Sequence, residues 1–285
     1  MSKKTETRSA VVTGAGSGLG FATAKLLKEN GWTVFGTIIE SQSPEELEKL
    51  DITPIVVDIS VPESTEAAKK QVEEALGDEG LSALINVAGL PVGGLLEGCT
   101  PEYIRWALSV VVEGTINMIR SFLPLLRKYG PARIVNVTTS GTYVPAIFTA
   151  PYSICKFAEQ GITEVLRYEL RKFGIQVCSI APGGMKTPMT ADMKGNTQKN
   201  WDRMGPEIYD IYYDKLHESL DFINMMGGLA SNPRSVSKVI LKALNAKKMK
   251  ITYLAGPMVT WMKPAKRILG DDLFETVMSK MQKMG

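Results

Sequence analysis

A single histidine, His217, stands in this 285-residue chain, and its three cysteines, Cys99, Cys155 and Cys178, fall without CxxC spacing. One histidine excludes a multi-histidine metal site, so no metal is expected and His217 reads as a surface residue. An odd set of scattered thiols argues for free, packing cysteines in a reducing compartment. No run approaches the roughly 20 apolar residues that a membrane span needs. Residues 1–8 are charged and polar, without the apolar stretch of a signal peptide. Neither sign of charge dominates: 33 basic and 30 acidic residues are interspersed, which leaves no arm or patch for nucleic acid. These absences point to a cytoplasmic protein, and 44% hydrophobic residues suffice for a large core.

Seven short apolar, β-branched runs are present, at 10–13, 33–39, 54–57, 83–87, 133–137, 175–180 and, weakly, 250–254. They are continuous rather than alternating, the pattern of strands buried on both faces. Helical periodicity fills the gaps, most clearly at 21–29, 64–76, 102–129, 152–173 and 235–246. The expected fold class is therefore α/β, a doubly wound, Rossmann-like parallel sheet of about seven strands with helices on both faces. No linker or repeat interrupts it, so residues 1–285 read as one domain. Two segments break the rhythm. From about 185 to 232, Trp201, Tyr209, Tyr212 and Tyr213 sit among polar residues, which suggests an insertion over the carboxyl edge of the sheet, where ligands bind. From about 256 to 285, Trp261, Ile268, Leu273, Phe274 and Met278 recur at helical spacing among lysines. This tail is expected to pack on its own domain or on a second subunit, with contact to a membrane surface as the lesser alternative.

The first strand runs straight into Thr13-Gly14-Ala15-Gly16-Ser17-Gly18-Leu19-Gly20, ahead of a helix. Glycines there allow a tight turn and close backbone approach to a diphosphate, and the helix N-terminus attracts its charge. The spacing is GxxxGxG, and its place in the first βα turn gives it weight. A second constellation is Tyr152 and Lys156, four apart and so on one helical face. Free tyrosine ionises near pH 10, and a phenolate base near neutrality means lowering that by about 3 units, roughly 4 kcal/mol. An ammonium one turn away favours the ionised phenol.

Taken in order, Thr13-Gly14-x-x-x-Gly18-x-Gly20, Asn86-Val87-Ala88-Gly89, Tyr152-x-x-x-Lys156 and Pro182-Gly183 with Thr187 resemble the short-chain dehydrogenase/reductase family over nearly the whole chain. The resemblance implies a nicotinamide cofactor and assigns roles. Gly14, Ser17, Gly18, Leu19 and Gly20 would cradle the diphosphate, and Asp58 with Ile59 would flank the adenine. Asn86, Ala88 and Gly89 would support the central strand and the ribose, although Asn86 could equally just tie strands together and Asp58 could be a simple turn residue. Pro182 and Gly183 lead to Thr187, which would hold the carboxamide. Tyr152 would be the general acid/base, and Lys156 would tune it while bonding the nicotinamide ribose. Two positions depart from the family pattern. The serine expected thirteen residues before the tyrosine is Thr139, with Ser140 next, so either could hold the substrate oxygen, the spacing favouring Thr139. The asparagine expected three residues before Gly114 is Val111, which cannot hold a water in the proton path.

NADP would need a basic residue at the end of the second strand or in the glycine loop; Glu40 and Ser17 stand there instead, which favours NAD, while Ile38 in place of the family's aspartate softens the preference. Segments 123–127, 133–137 and 170–175 resemble the retinol and hydroxysteroid dehydrogenase branch. Leu90, Val92, Val144, Ile147, Phe148, Met185 and Met189 are candidate pocket residues, about half of them expected to be core. An apolar pocket with one polar corner suits a hydroxysteroid, a retinoid or another apolar secondary alcohol or ketone. Two alternatives stay open. A small hydroxyacid substrate would draw on Lys186, Gln198 or Arg203, and a weakly catalytic NAD-binding regulatory protein would account for Val111. A homodimer or homotetramer through the two long helices is expected by family analogy.

Overall fold

The apolar runs become strands and pair side by side. A computed structural model describes residues 8–191, 193–218, 230–256 and 259–281. Its strands are β1 (Ser9–Val12), β2 (Thr33–Ile38), β3 (Thr53–Val56), β4 (Ala83–Asn86), β5 (Arg133–Val137), β6 (Gln176–Pro182) and β7 (Thr252–Ala255). They form one sheet in the order β3-β2-β1-β4-β5-β6-β7, and every pairing is parallel. The chain starts in the middle, winds outward to β3, then returns to β4 beside β1. The direction of winding reverses between β1 and β4, and in such sheets a crevice opens there at the strands' carboxyl ends. The doubly wound class expected from the sequence is the fold observed.

Helices cover both faces. On one, α1 (Gly18–Glu29) lies beside the helix Pro233–Leu244, Leu27 and Ile240 meet Val12, Val34 and Ile180 of the sheet, and the short α2 (Glu45–Glu48) adds Leu47. On the other, α3 (Pro62–Leu76) and α5 (Gly114–Tyr129) bury Val72, Met118 and Phe122 against Val11, Leu84 and Ile134. The periodic stretch 102–129 is α4 (Pro101–Leu108), one π turn (Ser109–Glu113) and α5 in sequence. By length and composition this 29-residue helix could cross a membrane, contrary to the run-length reading. Its inner face instead packs on the sheet, where an absent Cβ at Gly114 leaves room for Ile59, whose Cγ1 would otherwise stand 2.7 Å away.

The helix α6 (Ala150–Glu169) carries Pro151 in its first turn, where the missing N–H is harmless, and flanks β5 and β6. A short turn, Arg171–Phe173, completes the predicted 152–173 stretch. The segment between β6 and β7 leaves and returns at one point. Met185 bridges Ser231, Lys186 N donates to Ser231 O, and Ser231 N donates to Gly184 O. Within it Trp201, Met204 and Leu216 pack against Leu95 and Phe148, loop residues near the carboxyl edge. His217 is half-buried there, stacked on Trp201 and beside Tyr213, rather than on the surface as expected. The tail packs on its own domain, with Val259, Met262, Phe274 and Met278 against Val144 and Leu254. Residues 219–229, near the end of the expected insertion, and 282–285, at the end of the tail, lie outside the described residues.

Candidate active site

A cleft of about 300 Å³ opens at the carboxyl ends of the strands, within the size range of small-molecule sites. The glycine loop forms one wall. Gly14 has φ +65°, and a Cβ there would stand 3.0 Å from the Ala88 Cα, so the loop lies directly on the turn after β4. A Cβ on Gly20 would collide with the Gly14 carbonyl, so helix and loop pack this closely only with glycine. Thr13 fastens the two segments: its Oγ1 accepts from Val87 N at 2.8 Å and Ala88 N at 2.9 Å. Gly14 N donates to Thr37 Oγ1 at 3.2 Å.

Helix α1 begins inside the loop, at Gly18, three residues earlier than the periodicity suggests. Its N-cap, Ser17, makes no side-chain bond to the first-turn amides, and no acidic residue stands in that turn. Unpaired N–H groups, a partial positive charge and a backbone stripped of side chains fit a diphosphate. The cradle therefore fits a dinucleotide on its own geometry.

Ser17, Gly18, Leu19 and Gly20 line the cleft with Gly14; Asp58 and Ile59 line it after β3, and Ala88 and Gly89 after β4. Pro182, Gly183 and Thr187 line it from the end of β6. The Asp58 Oδ1 also accepts from Ser60 N and Ser60 Oγ, at 2.9 and 2.6 Å, so it shapes its own turn. Asn86 is not among the lining residues. It is buried behind the turn and donates to Asn136 Oδ1 at 2.8 Å, tying β4 to β5.

Thr139, Tyr152 and Lys156 line the cleft together, whereas Ser140 is not part of the lining. Thr139 is extended, and its Oγ1 accepts from Gly141 N at 3.2 Å, which caps the short turn Ser140–Thr142 and fixes the hydroxyl at the end of β5. On α6, the Lys156 ammonium lies 6.0 Å from the Tyr152 ring centre, as the four-residue spacing requires. Lys156 is 5% exposed and donates to Val137 O at 2.9 Å and Glu159 Oε2 at 2.6 Å.

The family of short chain dehydrogenases matches residues 8–198. The chain belongs to that family. It is 36% identical over 220 residues to estradiol 17-beta-dehydrogenase 2 of Mus musculus, covering 74% of this chain and 56% of that protein. Against retinol dehydrogenase 7 of Rattus norvegicus it is 30% identical over 228 residues, 76% and 71% of the two chains. Against 3-ketodihydrosphingosine reductase of Bacteroides thetaiotaomicron it is 31% identical over 251 residues, 87% and 88% of the two. The chain thus lies on the hydroxysteroid and retinol branch, and spans about half the length, 56%, of the murine 17-beta-dehydrogenase. A short-chain dehydrogenase from Streptomyces avermitilis shares the fold at a TM-score of 0.73 and 22% identity, over 99% of this chain and 97% of that one.

Of the apolar sequence candidates, Leu90, Met185 and Met189 line the cleft, and so does Val110. The other four sequence candidates lie outside the lining: Val92 is core, Val144 packs on the tail, Phe148 supports the Trp201 cluster, and Ile147 falls beyond the edge. Lys186, Gln198 and Arg203 also lie outside it. Gln198 donates to Asp202 Oδ1 at 2.8 Å, and Arg203 donates to Asn200 Oδ1 at 2.9 Å with its guanidinium 4.9 Å over the Tyr103 ring.

Four polar residues escaped the sequence reading. Thr37 and Gln42 line the cleft near the end of β2, and Thr138 lines it after β5. Glu159 lies buried against Lys156, and its Oε1 accepts from Thr115 Oγ1 at 3.2 Å. Burial pushes the Glu159 carboxyl up, and Lys156 and Thr115 pull it back only in part. Burial works against the Lys156 charge, yet the Glu159 carboxylate, with Tyr152 and Cys155 adding to it, offsets that and the ammonium is held above its ordinary range. An acid three residues after a lysine was the available signal.

Proposed function

We propose that the chain is an NAD-dependent alcohol dehydrogenase/ketone reductase acting on an apolar secondary alcohol or its ketone, of the hydroxysteroid or retinoid kind. The observation that carries this reading is one cleft in which Tyr152, Lys156 and Thr139 share space with the glycine loop and Leu90, Val110, Met185 and Met189 supply an apolar wall. The cofactor, when bound, takes up or supplies the hydride at the substrate carbinol carbon. Gly14, Gly18 and the first amides of α1 would hold its diphosphate, and Thr187 would hold its carboxamide. Tyr152 exchanges the proton of the substrate hydroxyl, Thr139 holds the same oxygen through Oγ1, and the Lys156 charge favours the phenolate form of the tyrosine. Fixing these donors before the substrate arrives supplies most of the rate.

Lys156 is the only cation among the lining residues, and it stands at the catalytic end. A 2′-phosphate at the end of β2 would meet Ile38, Ile39 and Glu40, which supports NAD. Among the described residues, the same lack of cations offers a small hydroxyacid no second carboxylate clamp beside Lys156. Free Cys99, Cys155 and Cys178 support a cytoplasmic location.

Absorbance of reduced nicotinamide, followed with NAD or NADP and a panel of steroid, retinoid and short hydroxyacid alcohols, tests the assignment. Tyr152→Phe is expected to keep NAD binding and lose at least about a hundredfold in kcat. Retention of most turnover would sink the reading.

A further inference from the structure

Where the family pattern has an asparagine this chain has Val111, an aliphatic side chain that can neither donate nor accept a proton. Val111 is 2% exposed in the π turn, packed with Val92, Ala107 and Cys155. Lys156 has a polar neighbour elsewhere. Glu159 is not part of the cleft lining, yet it touches Lys156 Nζ at 2.6 Å, and the two side chains are 1% and 7% exposed. An exposed pair at this spacing would contribute little. A buried pair differs, because removing one charge strands the other in the core.

We infer that Glu159 is a positioning residue for the reaction, whose carboxylate anchors Lys156 and keeps it in the ammonium form with one proton left for the cleft. An ammonium has three protons and accepts none. Val137 O takes one and Glu159 Oε2 takes the second, while Thr115 Oγ1 occupies the other carboxylate oxygen and fixes its rotation. The third is free to serve a ligand in the cleft that Lys156 lines. Without the carboxylate, burial would drive Lys156 toward a neutral amine, and the cation beside Tyr152 would be lost. Tyr152 and Cys155, both on α6, are the other titratable groups acting on Lys156. From β5 it meets the Val137 carbonyl, and in the turn after β4 a Cβ added at Gly89 would stand 3.8 Å from its Nζ; α5 contributes the Thr115 hydroxyl to Glu159.

This inference rests on the proposed function, and its test separates the two. In the unmutated protein, the NMR shift of the Lys156 side chain, assigned by its loss in Lys156→Arg, is expected to remain that of an ammonium past 10.5, the ordinary lysine value. Titration below that point overturns the inference, whether or not any alcohol is turned over. Glu159→Gln keeps size and hydrogen-bonding capacity but removes the charge. It is expected to bring an alkaline limb into the kcat profile, with a loss of about ten- to a hundredfold at that end, and Glu159→Asp is expected to restore the parent shape. A purely structural role would lower the rate by one factor at every pH, and that result also overturns the inference. If Glu159→Gln does not fold, the Lys156 titration in the unmutated protein still decides. If no alcohol or ketone reacts, the proposed function falls and the Lys156 titration continues to judge Glu159.

Discussion

Gln42 spans the corner between the end of β2 and the glycine loop. Its Oε1 accepts from Ile39 N at 3.3 Å, and its amide fills the space that a Cβ on Gly16 would need. In a sheet of this topology the adenosine ribose comes to the end of β2, so this is the corner an additional 2′-phosphate would have to enter. A guanidinium there would offer charge-assisted, two-pronged bonds to that phosphate. Gln42→Arg is accordingly expected to raise the ratio of kcat/KM for NADP over NAD by roughly tenfold or more, given about 1.5–3 kcal/mol for a hydrogen bond to a charged group. Steady-state kinetics with the two cofactors measures it, and an unchanged ratio would remove Gln42 from the cofactor site. The sequence showed the lack of a cation at this corner through Glu40 and Ser17. It did not show Gln42, because only the folded loop brings residue 42 back beside residue 16.

Helix α6 serves two sides at once. Its inner edge carries Tyr152, Lys156, Glu159 and Thr163, and its outer edge leaves Phe157, Val165 and Tyr168 at 47%, 55% and 78% exposure. Trp106, 46% exposed on α4, extends that apolar surface to the other long helix. An apolar row of this kind suits an interaction surface, and the homodimer or homotetramer expected by family analogy would cover it. Val165→Glu with Tyr168→Glu is expected to leave the far-UV helix signal intact and to lower the mass seen in analytical ultracentrifugation to that of one chain. A chain that is single before the substitutions, or assembled after them, would rule this face out. The strands and long helices were legible because buried parallel strands write continuous apolar runs and covering helices write a period near four. The π turn was not legible, since Ser109–Glu113 keeps the same apolar face as the helices on either side. Glu159 was hidden for a related reason. A lysine and an acid three apart read as a solvated pair, and only the docking of α6 on β5 turns that pair inward.

At the scale of the whole molecule, three groups buried in one framework make its stability depend on alkaline pH. Burial pushes the Cys155 thiol up to about 11 and the Cys178 thiol up to about 12. Lys156, despite its burial, is held above its ordinary range by Glu159. An unfolded thiol loses its proton near 9.0 while the folded one keeps it, so above that point the unfolded state binds fewer protons and stability falls as pH rises. Lys156 adds to the slope in the same sense, because the stability from a raised lysine is complete below 10.5 and is lost as pH climbs through the folded value. The urea midpoint is therefore expected to drop between pH 9.0 and 10.5, and Cys178→Ala is expected to make the drop shallower, whatever it costs in packing at the lower pH. A profile equally steep with and without Cys178 would show that the thiol makes no such contribution. The comparison also bears on the site. Cys178 sits in β6, within the sheet core, so its ionisation loosens the fold without touching Tyr152 or Lys156. An alkaline loss of turnover in Glu159→Gln that precedes the fall in urea midpoint then belongs to the Lys156 charge, and one that coincides with it belongs to unfolding.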